Sequence, residues 1–458
     1  MKINDDFKSL INGQLTGIDT ASLFNAIENE EPTVAVRINS LKRQAAPAQL
    51  NTVPWCDMGA YLNERPQFTF DPHFHAGSYY VQDASSMFIY HVIKTLVKQP
   101  VAYLDLCAAP GGKTTAAIQA LPQGSMVVAN EIVPQRAQIL RENVIKWGAS
   151  NCMVTCDSPR AFGALESEFD VIAADVPCSG EGMFRKDDEA VSQWSSALVQ
   201  QCAARQREII SAIWPALKPG GLLIYSTCTY NTLENEEMVN FITQQFGATT
   251  VEVTTNPSWG ILPAIGLSMP CYRFIPHSTR GEGLFMCVMR KPQGPQASHR
   301  PPKQKSKKSF NAKLDPDIKQ WIDGEYSFME SNGTIQATPL DVKFKLECIY
   351  DNIHIIKDLG ISIATIKGRK TIPSHELALS AHLAHGAFPQ VEVDYPTAIN
   401  FLRGEAITID APRGHVLITY ENSVLGFVNN LGNRANNLYP KSWRIMSSHR
   451  PEEAPSIL

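Results

Sequence analysis

Short apolar runs alternate with longer segments of helical periodicity between residues 101 and 291. Parallel strands need a long connection, which a helix usually supplies, so this alternation predicts a doubly wound, Rossmann-like α/β sheet. We predict strands at 101–106, 126–130, 152–156, 169–174 and 222–225, and helices at 114–121, 134–147 and 194–217, the last closed by residues 218–221. An antiparallel hairpin at 272–275 and 284–290 completes the sheet edge. Ligands of such sheets bind beyond the carboxyl ends of the strands, where we expect the functional residues.

The composition is that of a globular chain with several domains. Its 458 residues correspond to about three domains, and 44% hydrophobic with 19% charged residues excludes wholesale disorder. No apolar run approaches the roughly 18 residues that span a bilayer. Residues 1–10 lack the layout of a secretory signal, so we expect a cytoplasmic protein. The net charge of −4 gives no global support for nucleic-acid binding, which leaves local signals.

The ten cysteines are spread along the chain, and without an export signal they are expected to be free thiols. The pair Cys152 and Cys156 reads as buried strand cysteines, since no second pair at zinc spacing follows. His73-x-His75 is more typical of loop histidines than of ligands, because no third partner is near in sequence. We therefore predict no metal site.

A basic, proline-rich stretch divides the chain. Residues 290–313 carry eight Lys or Arg and no acid, which is typical of a solvated interdomain linker or, as the alternative, of an RNA-backbone contact. The predicted domains are residues 1–76, 77–290, a linker at 291–313, 314–385 and 386–458.

The first strand is followed by a loop rich in small residues. Two glycines and two alanines here let a ligand lie against the backbone at a helix N-terminus. A P-loop would need glycine where Cys107 stands, and the dinucleotide pattern G-x-G-x-x-G is absent. The alternative is a plain tight turn. The predicted cofactor loop comprises Cys107, Ala108, Ala109, Pro110, Gly111, Gly112 and Lys113.

Two carboxylates follow the next two strands. Glu131 stands where a carboxylate can accept hydrogen bonds from both ribose hydroxyls of a nucleoside, and Asp157 where one can receive the exocyclic amine of an adenine. A helix N-cap is the alternative for either residue. Because these positions fall in register with successive strands, the pattern favours an adenosyl ligand.

Two cysteines follow the fourth and fifth strands, Cys178 after Asp175 and Cys228 in Ser226-Thr227-Cys228-Thr229. A buried structural thiol is the usual fate of a single cysteine. Two thiols at neighbouring strand ends instead fit methylation of carbon 5 of cytosine, because thiolate addition at carbon 6 makes carbon 5 nucleophilic.

This chemistry needs further groups. An ordinary thiol with a pKa near 8.5 is only a few per cent ionised at neutral pH, so nearby positive charge must favour the thiolate, and Lys113 is a candidate. Asp175 can hydrogen bond ring nitrogen 3 of the cytosine if the carboxyl or the ring is protonated. A base must then remove the carbon 5 proton.

The motifs at residues 107–113, 175–180 and 226–229 together resemble the S-adenosylmethionine-dependent RNA 5-methylcytosine methyltransferases of the two-cysteine type. The resemblance covers residues 82–290 and implies S-adenosyl-L-methionine as cofactor. It also implies that Cys228 is the nucleophile and that Cys178 helps to release the product, an order that the residues alone do not give. The cofactor-binding positions carried over are the loop 107–113, Glu131, Asp157 and Asp175, although Ser158-Pro159 follows Asp157 where the family more often has glycine.

The segment 181–187 and the long C-terminal extension resemble the branch of this family that acts on the 16S RNA of the bacterial small ribosomal subunit. The resemblance implies a PUA-like β-barrel at the C-terminus, where we predict strands at 406–409, 415–420 and 425–428, and an N-terminal α+β RNA-binding subdomain around the basic strand 34–42. The alternative for the latter is a packing subdomain. Tyr439 and Trp443 are candidates for base stacking or for core packing. The basic residues of the last stretch are Arg413, Arg434, Lys441, Arg444 and Arg450.

The predicted partner is 16S rRNA, with tRNA or another rRNA as the alternative within the family. Two rival interpretations belong to other classes. One is a P-loop-like ATPase, which the missing glycine at position 107 disfavours. The other is a non-catalytic RNA-binding protein, which the presence of both cysteines disfavours.

Overall fold

The computed structural model describes residues 3–47, 49–294 and 316–458, except positions 351, 354, 369, 448, 450 and 456. Most of the predicted basic linker, and Arg450 of the predicted basic stretch, therefore lie outside the described residues.

The N-terminal segment combines helices with a small antiparallel sheet whose strand order is β2-β3-β1-β4. The two central strands of this sheet are buried at nearly every residue, which indicates that both of its faces are covered. Its elements are α1 (Asp5–Gln14), α2 (Thr20–Asn29), β1 (Val34–Ile38), β2 (Asn51–Val53), β3 (Cys56–Leu62), α3 (Pro72–His75), β4 (Tyr79–Val81) and α4 (Phe88–Leu96).

The central segment forms a mainly parallel sheet with helices on both faces, which confirms the predicted Rossmann-like α/β core. Its strands are almost continuously apolar and buried, as covered parallel strands require. Its elements are β5 (Ala102–Asp105), α5 (Gly112–Ala120), β6 (Met126–Asn130), α6 (Pro134–Trp147), β7 (Cys152–Thr155), α7 (Pro159–Gly163), β8 (Phe169–Asp175), α8 (Asp188–Gln193), α9 (Ser196–Ile213), β9 (Leu217–Thr227), α10 (Glu236–Phe246), β10 (Thr249–Thr250), β11 (Tyr272–Phe274) and β12 (Leu284–Arg290).

The C-terminal segment contains two four-stranded sheets, ordered β13-β14-β16-β17 and β18-β19-β20-β21. Its elements are α11 (Pro316–Lys319), β13 (Tyr326–Ser331), β14 (Thr334–Pro339), α12 (Leu340–Tyr350), β15 (Ile356–Leu359), β16 (Ile361–Lys367), β17 (Lys370–Pro373), α13 (His375–Leu379), β18 (Gln390–Glu392), α14 (Tyr395–Leu402), β19 (Gly414–Tyr420), β20 (Ser423–Asn430) and β21 (Ala435–Asn437).

The order along the central sheet is β10-β12-β9-β8-β5-β6-β7-β15, with β11 on β12. The connection from β5 leads to β6 on one side, and β8 lies on the other side of β5, so the direction in which successive parallel strands are added reverses at β5. This is the switch point where α/β sheets bind ligands. The loops after β5, β6, β8 and β9 consequently open onto one crevice.

Strand β15 joins the central sheet by antiparallel pairing with β7, with Leu359 opposite Met153. It comes from residues 314–385, which the sequence analysis treats as a separate domain. The pairing covers an edge that would otherwise expose unpaired backbone groups.

Several sequence predictions need correction. The stretch 218–221, expected to close a helix, lies within β9, where Gly220 and Gly221 exchange backbone hydrogen bonds with Lys291. The strand expected at 406–409 is reduced to a bridge between Ile407 and Ala435. The hairpin of β11 and β12 forms as predicted, but β12 pairs with β9 and β10 rather than standing at the edge.

The two N-terminal histidines are buried on α3, not in a loop. His73 Nε2 lies 3.0 Å from Glu421 Oε2, and His75 Nδ1 lies 3.1 Å from the Tyr439 hydroxyl. Tyr439 is itself buried, so its ring belongs to the core. These side chains hold the N-terminal segment against the C-terminal sheet.

Among the described residues, no helix is both long and apolar enough for a bilayer crossing. The same residues contain no group of three His, Cys, Asp or Glu side chains arranged to hold a metal ion.

Candidate active site

The cofactor loop, residues 107–113, runs from the end of β5 into α5. On one side, the Leu106 N–H donates to the Ala173 carbonyl at 2.9 Å, and on the other the Ala108 N–H donates to the Asn130 carbonyl at 2.8 Å. Gly111 caps α5 with a φ of +112°, a left-handed conformation that favours glycine. The loop is thus fixed between β6 and β8, with the unpaired N–H groups of a helix start at its end.

Gly112 allows a close approach between this loop and the N-terminal segment. A Cβ atom there would lie 3.3 Å from Tyr80 Cε1 and 3.4 Å from Gln82 Nε2. Gln82 Nε2 is buried and, within the described part of the chain, has no hydrogen-bond partner. The partly exposed backbone at Gly112 and the unpaired Nε2 donor of Gln82 together suit a polar ligand such as an adenosyl group.

Arg37, the basic residue of strand β1, packs against the helix that follows the cofactor loop. Its side chain is fully buried, its Nε donates to Gln82 Oε1 at 2.9 Å and its Nη2 donates to Thr115 Oγ1 at 2.6 Å. The guanidinium also lies 4.4 Å from the Trp147 ring centroid. Arg37 therefore braces α5 and is not a surface contact for RNA.

Asn130, at the end of β6, joins three of the loops. Its Nδ2 donates to the carbonyls of Leu106 and Asp157 at 3.1 and 3.0 Å, and its Oδ1 accepts from the Asp157 N–H at 2.9 Å. Sequence motifs did not single out this residue. A polar side chain closing an otherwise apolar strand was the available signal.

The two carboxylates expected for an adenosyl ligand lie on either side of Asn130. Glu131 is buried, with Oε1 accepting from the Val133 N–H at 3.0 Å and Oε2 3.6 Å from Arg136 Nη1. Asp157 Oδ1 accepts from the Ser158 N–H at 2.8 Å. Both therefore stand at the carboxyl edge of the sheet, and Ser158, not Asp157, caps α7.

Lys113 points from the cofactor loop across to β8. Its Nζ lies 2.9 Å from Asp175 Oδ2, and the Ser226 hydroxyl donates to Asp175 Oδ1 at 2.7 Å. Burial lowers the pKa of Lys113, but the charge and hydrogen bond of Asp175, with Cys228 and Asp105 nearby, outweigh it and raise that pKa overall. A charged ammonium is thus held by Asp175, near enough to Cys228 for that thiol to influence its pKa.

Cys178 and Cys228 meet with their sulfur atoms 3.1 Å apart, both as free, half-buried thiols. The Cys228 N–H also donates to Cys178 Sγ at 3.3 Å. The hydrogen bond with Cys228, together with burial and the charges of Glu234 and Asp175, raises the pKa of the Cys178 thiol. We call Cys178, Cys228, Asp175 and Lys113 the cysteine crevice.

Glu234 links the loops that carry the two cysteines. Its carboxylate accepts from the Ser179 N–H at 3.1 Å, from Asn231 Nδ2 at 2.8 Å and from Gln206 Nε2 at 2.7 Å. Burial raises the pKa of Glu234 to about 7, although these donors act in the opposite direction. Ser179 follows Cys178 and Asn231 follows Cys228, so one carboxylate fixes both loops.

Glu181 is a second buried carboxylate that holds the loop after Cys228. It is fully buried and accepts from Trp194 Nε1 at 3.0 Å and from the N–H groups of Tyr230 and Asn231 at 2.7 and 3.0 Å. The Gly182 N–H donates to the Cys228 carbonyl at 2.9 Å. The cysteine loops are thus held by buried carboxylates whose hydrogen bonds are satisfied.

The structure brings together all the residues predicted for catalysis, while the predicted cofactor positions line the neighbouring strand ends. Glu234 was missed because it lies in the run Glu234-Asn235-Glu236-Glu237, which is typical of an exposed helix start.

Comparisons with known proteins agree with this geometry. The family model described as 16S rRNA methyltransferase RsmB/F matches residues 95–290. Models described as the N-terminal domain of 16S rRNA methyltransferase RsmF and the methyltransferase RsmF PUA domain match residues 3–84 and 388–445.

Solved structures show a similar fold. A methyltransferase homolog protein from Pyrococcus horikoshii is 25% identical, with a TM-score of 0.53, covering 62% of this chain and 94% of that one. NSun6 from the same organism, solved with SFG, is 19% identical with a TM-score of 0.54, covering 64% and 99%.

Curated relatives match along most of the chain. Ribosomal RNA small subunit methyltransferase F of Serratia proteamaculans is 28% identical over 408 residues, which cover 86% of this chain and 84% of that one. The protein of the same name from Shewanella loihica is 30% identical over 443 residues, which cover 89% and 88%. The chain therefore belongs to the ribosomal RNA small subunit methyltransferase F family.

Proposed function

We propose that this protein methylates carbon 5 of a cytosine in 16S rRNA, with S-adenosyl-L-methionine as donor and a covalent bond between Cys228 and the cytosine as intermediate. The observation that carries the proposal is the pair of sulfur atoms 3.1 Å apart, beside the Lys113–Asp175 ion pair. The relatives' names supply the RNA class.

The cofactor is assigned to the crevice at the carboxyl ends of β5 to β8. Loop 107–113 supplies backbone, Glu131 is the carboxylate for the ribose hydroxyls, Asp157 is assigned to the adenine amine, and Asp175 lies where the reactive end is expected. The partly exposed backbone at Gly112 and the buried, unpaired donor of Gln82 support the fit. When bound, S-adenosyl-L-methionine supplies an electrophilic methyl group.

Cys228 acts as the nucleophile. Its sulfur forms a bond to carbon 6 of the cytosine, and the electron pair of the carbon 5–carbon 6 double bond makes carbon 5 nucleophilic. Asp175 holds the ammonium of Lys113 near this sulfur. The positive charge of the ammonium stabilises the thiolate before the attack. The Asp175 carboxylate also holds the pyrimidine edge, by accepting a hydrogen bond from ring nitrogen 3 when that nitrogen is protonated.

Cys178 serves the second half of the reaction. Water serves as the base that takes the carbon 5 proton, the electrons of that carbon–hydrogen bond restore the double bond, and the Cys228 sulfur leaves as a thiolate that needs a proton donor beside it. Cys178 keeps its own proton through its raised pKa, and it lies in hydrogen-bond contact with Cys228. We therefore assign it to product release, directly or through a water.

The flanking domains hold the RNA. We propose residues 1–76 and 386–458 as RNA-binding domains on either side of the catalytic domain 77–290, with residues 291–313 as linker and 314–385 as an intermediate domain. Arg413, Arg434 and Lys441 are exposed on the C-terminal RNA-binding domain, residues 386–458, and are suited to phosphates. The target cytosine must be unpaired or flipped out of its stack to reach the crevice. We place this activity in the cytoplasm, on RNA of the small subunit.

The test is methyl transfer itself. Purified protein is incubated with labelled S-adenosylmethionine and either 16S rRNA or small subunits stripped of the modification, and 5-methylcytosine is mapped by bisulfite sequencing. We expect label at a single cytosine. Label on another base, or at another atom of cytosine, would contradict the proposal.

A further inference from the structure

A pocket of about 490 Å³ lies where residues 65–81 of the N-terminal segment meet α6. This volume is typical of a pocket for a small ligand. Its lining includes no residue of the cofactor loop or of the cysteine crevice. We call it the junction pocket, and it is lined by residues 65–70, 74, 77, 79–81, 143, 146 and 147.

The walls of the junction pocket are largely aromatic, and its charges are positive. The rings come from Phe68, Phe70, Phe74, Tyr79, Tyr80 and Trp147. Arg65 and Lys146 are its two charged lining residues, and no carboxylate is among the described residues that line it. Flat aromatic surfaces beside cations are what proteins use to bind single-stranded nucleic acid.

Neither cation is neutralised. In the described part of the chain, Arg65 and Lys146 form no salt bridge, and their recorded side-chain contacts are with rings. Arg65 Cζ lies 5.6 Å from the Phe68 centroid, and Lys146 Nζ lies 5.4 Å from that of Phe74 and 5.1 Å from that of Trp443. An ammonium without a counter-ion in a partly dehydrated place favours an incoming anion.

The neighbouring charged groups also affect the charge of Lys146. Burial lowers its pKa, and Glu142, one helical turn earlier, opposes that shift only in part. Buried Lys42 donates from Nζ to the Lys146 carbonyl at 2.7 Å. Lys146 therefore supplies the positive charge here, because burial lowers the pKa of Lys42 to about 7 and leaves that amine only partly protonated at neutral pH.

The junction pocket also abuts the cofactor loop. Tyr80 lines the pocket and lies beside Gly112, while Asn143, another lining residue, donates from Nδ2 to the Pro110 carbonyl at 2.8 Å. Trp443, which contacts Lys146, belongs to the region matched by the PUA model. A ligand here would thus touch the catalytic domain next to the C-terminal domain.

We propose that the junction pocket binds a nucleotide of the substrate RNA other than the target cytosine. Its base stacks against Phe74 and Tyr80, the two lining rings that are partly exposed, and Lys146 and Arg65 hold the flanking phosphate. This inference rests on the proposed function, because it assumes an RNA substrate.

The test is the affinity for a 16S rRNA transcript, measured by filter retention over a range of salt concentrations. Lys146→Gln and Arg65→Gln should each weaken binding about fivefold and make the dependence of log affinity on log salt shallower, by about 0.7 per lost phosphate contact. Lys146→Arg should restore most of the affinity. Phe74→Leu should weaken binding about tenfold with an unchanged salt slope, since it removes stacking and no charge.

Lys94→Gln is the matched control. Lys94 also lies over a ring, 4.8 Å from the Tyr90 centroid, but its Nζ is paired with Asp57 at 3.1 Å. It should bind RNA as the wild type does. Melting temperature and S-adenosylmethionine affinity check that every variant is folded.

The inference is overturned if folded Lys146→Gln and Arg65→Gln bind the transcript like the wild type, or if Lys94→Gln weakens binding equally. If the wild type binds no 16S rRNA at all, the proposed function fails and the inference falls with it. Loss of RNA affinity with cofactor affinity intact supports the junction pocket specifically.

Discussion

The cofactor loop and the cysteine crevice share one edge of the sheet but are built in opposite ways. The loop is a continuous stretch, residues 107–113, that works through backbone and glycine conformation. The crevice joins side chains that are far apart in sequence, Cys178 and Cys228 at the ends of two neighbouring strands, and depends on the buried carboxylates Glu181 and Glu234. Substitutions should therefore separate cofactor binding from methyl transfer.

Cys228→Ala is expected to separate methyl transfer from cofactor binding most strongly. Without the sulfur no bond to carbon 6 forms, so methyl transfer should fall by on the order of 10⁴-fold or more, while S-adenosylmethionine affinity stays unchanged. Cys202→Ala, which removes another half-buried free thiol, is the control and should keep full activity. Activity of Cys228→Ala within tenfold of wild type would break the assignment.

Lys113→Met sharpens the comparison, because Lys113 belongs to the loop by sequence and reaches the crevice by its side chain. Loss of its charge beside Cys228 should lower kcat about 100-fold, the usual cost of one preorganised electrostatic group. Lys218→Met is the matched control, since Lys218 pairs with Asp170 at 2.7 Å where β8 and β9 begin, at the other end of the strands. Equal losses in both variants would show a structural effect.

Glu234→Gln tests the support beneath the cysteines. An amide nitrogen facing donors from Ser179 and Gln206 should misalign the loops at a cost of about 2 kcal/mol, roughly 30-fold in kcat. Cofactor affinity should not change. Glu237→Gln, an exposed neighbour on α10, is the control.

The Glu234→Gln variant should also change how the free energy of unfolding depends on pH. Burial raises the pKa of Glu234 from 4.5 to about 7, so the folded state binds more protons than the unfolded state between these values. Wild-type stability should therefore decrease as pH rises from about 4.5 to about 7, and Glu234→Gln should lack this part of the slope. Urea unfolding at several pH values measures it, and identical slopes in the two proteins would refute the buried-carboxylate account.

The smallest effect on activity is expected for a substitution in the cofactor loop. Gly111→Ala places a side chain at a φ of +112°, a strain of about 1–2 kcal/mol, which should weaken S-adenosylmethionine binding about tenfold and leave kcat at saturation nearly unchanged. Gly266→Ala carries similar strain at a φ of +67° in open space, and serves as control. Calorimetric titration decides, and a collapse of kcat at saturating cofactor would contradict the separation.

The same contrast explains what the sequence could predict. The parallel core and the loop 107–113 follow from local patterns, since each apolar run or glycine pair carries its signal within a few residues. Strand β15 carries no such signal, because Ile356-Lys357-Asp358-Leu359 is half polar and is ordered by its pairing with β7. The central fold was therefore predictable and its covered edge was not.

Within the site, the motifs pointed to both cysteines but not to the groups that hold them. Glu234 and Asn130 act through contacts with residues far away in sequence. The burial of Arg37 in the basic strand 34–42 was not predictable for a related reason, because its contact with Trp147 depends on tertiary packing.

The most direct test of the central claim is the trapping of a covalent protein–RNA adduct. Cys178→Ala and Cys228→Ala proteins are each incubated with 16S rRNA and S-adenosylmethionine and separated by denaturing electrophoresis. We predict that Cys178→Ala accumulates an adduct, because attack by Cys228 proceeds and release fails, whereas Cys228→Ala forms none. An adduct that accumulates in Cys228→Ala and is missing from Cys178→Ala would contradict the account.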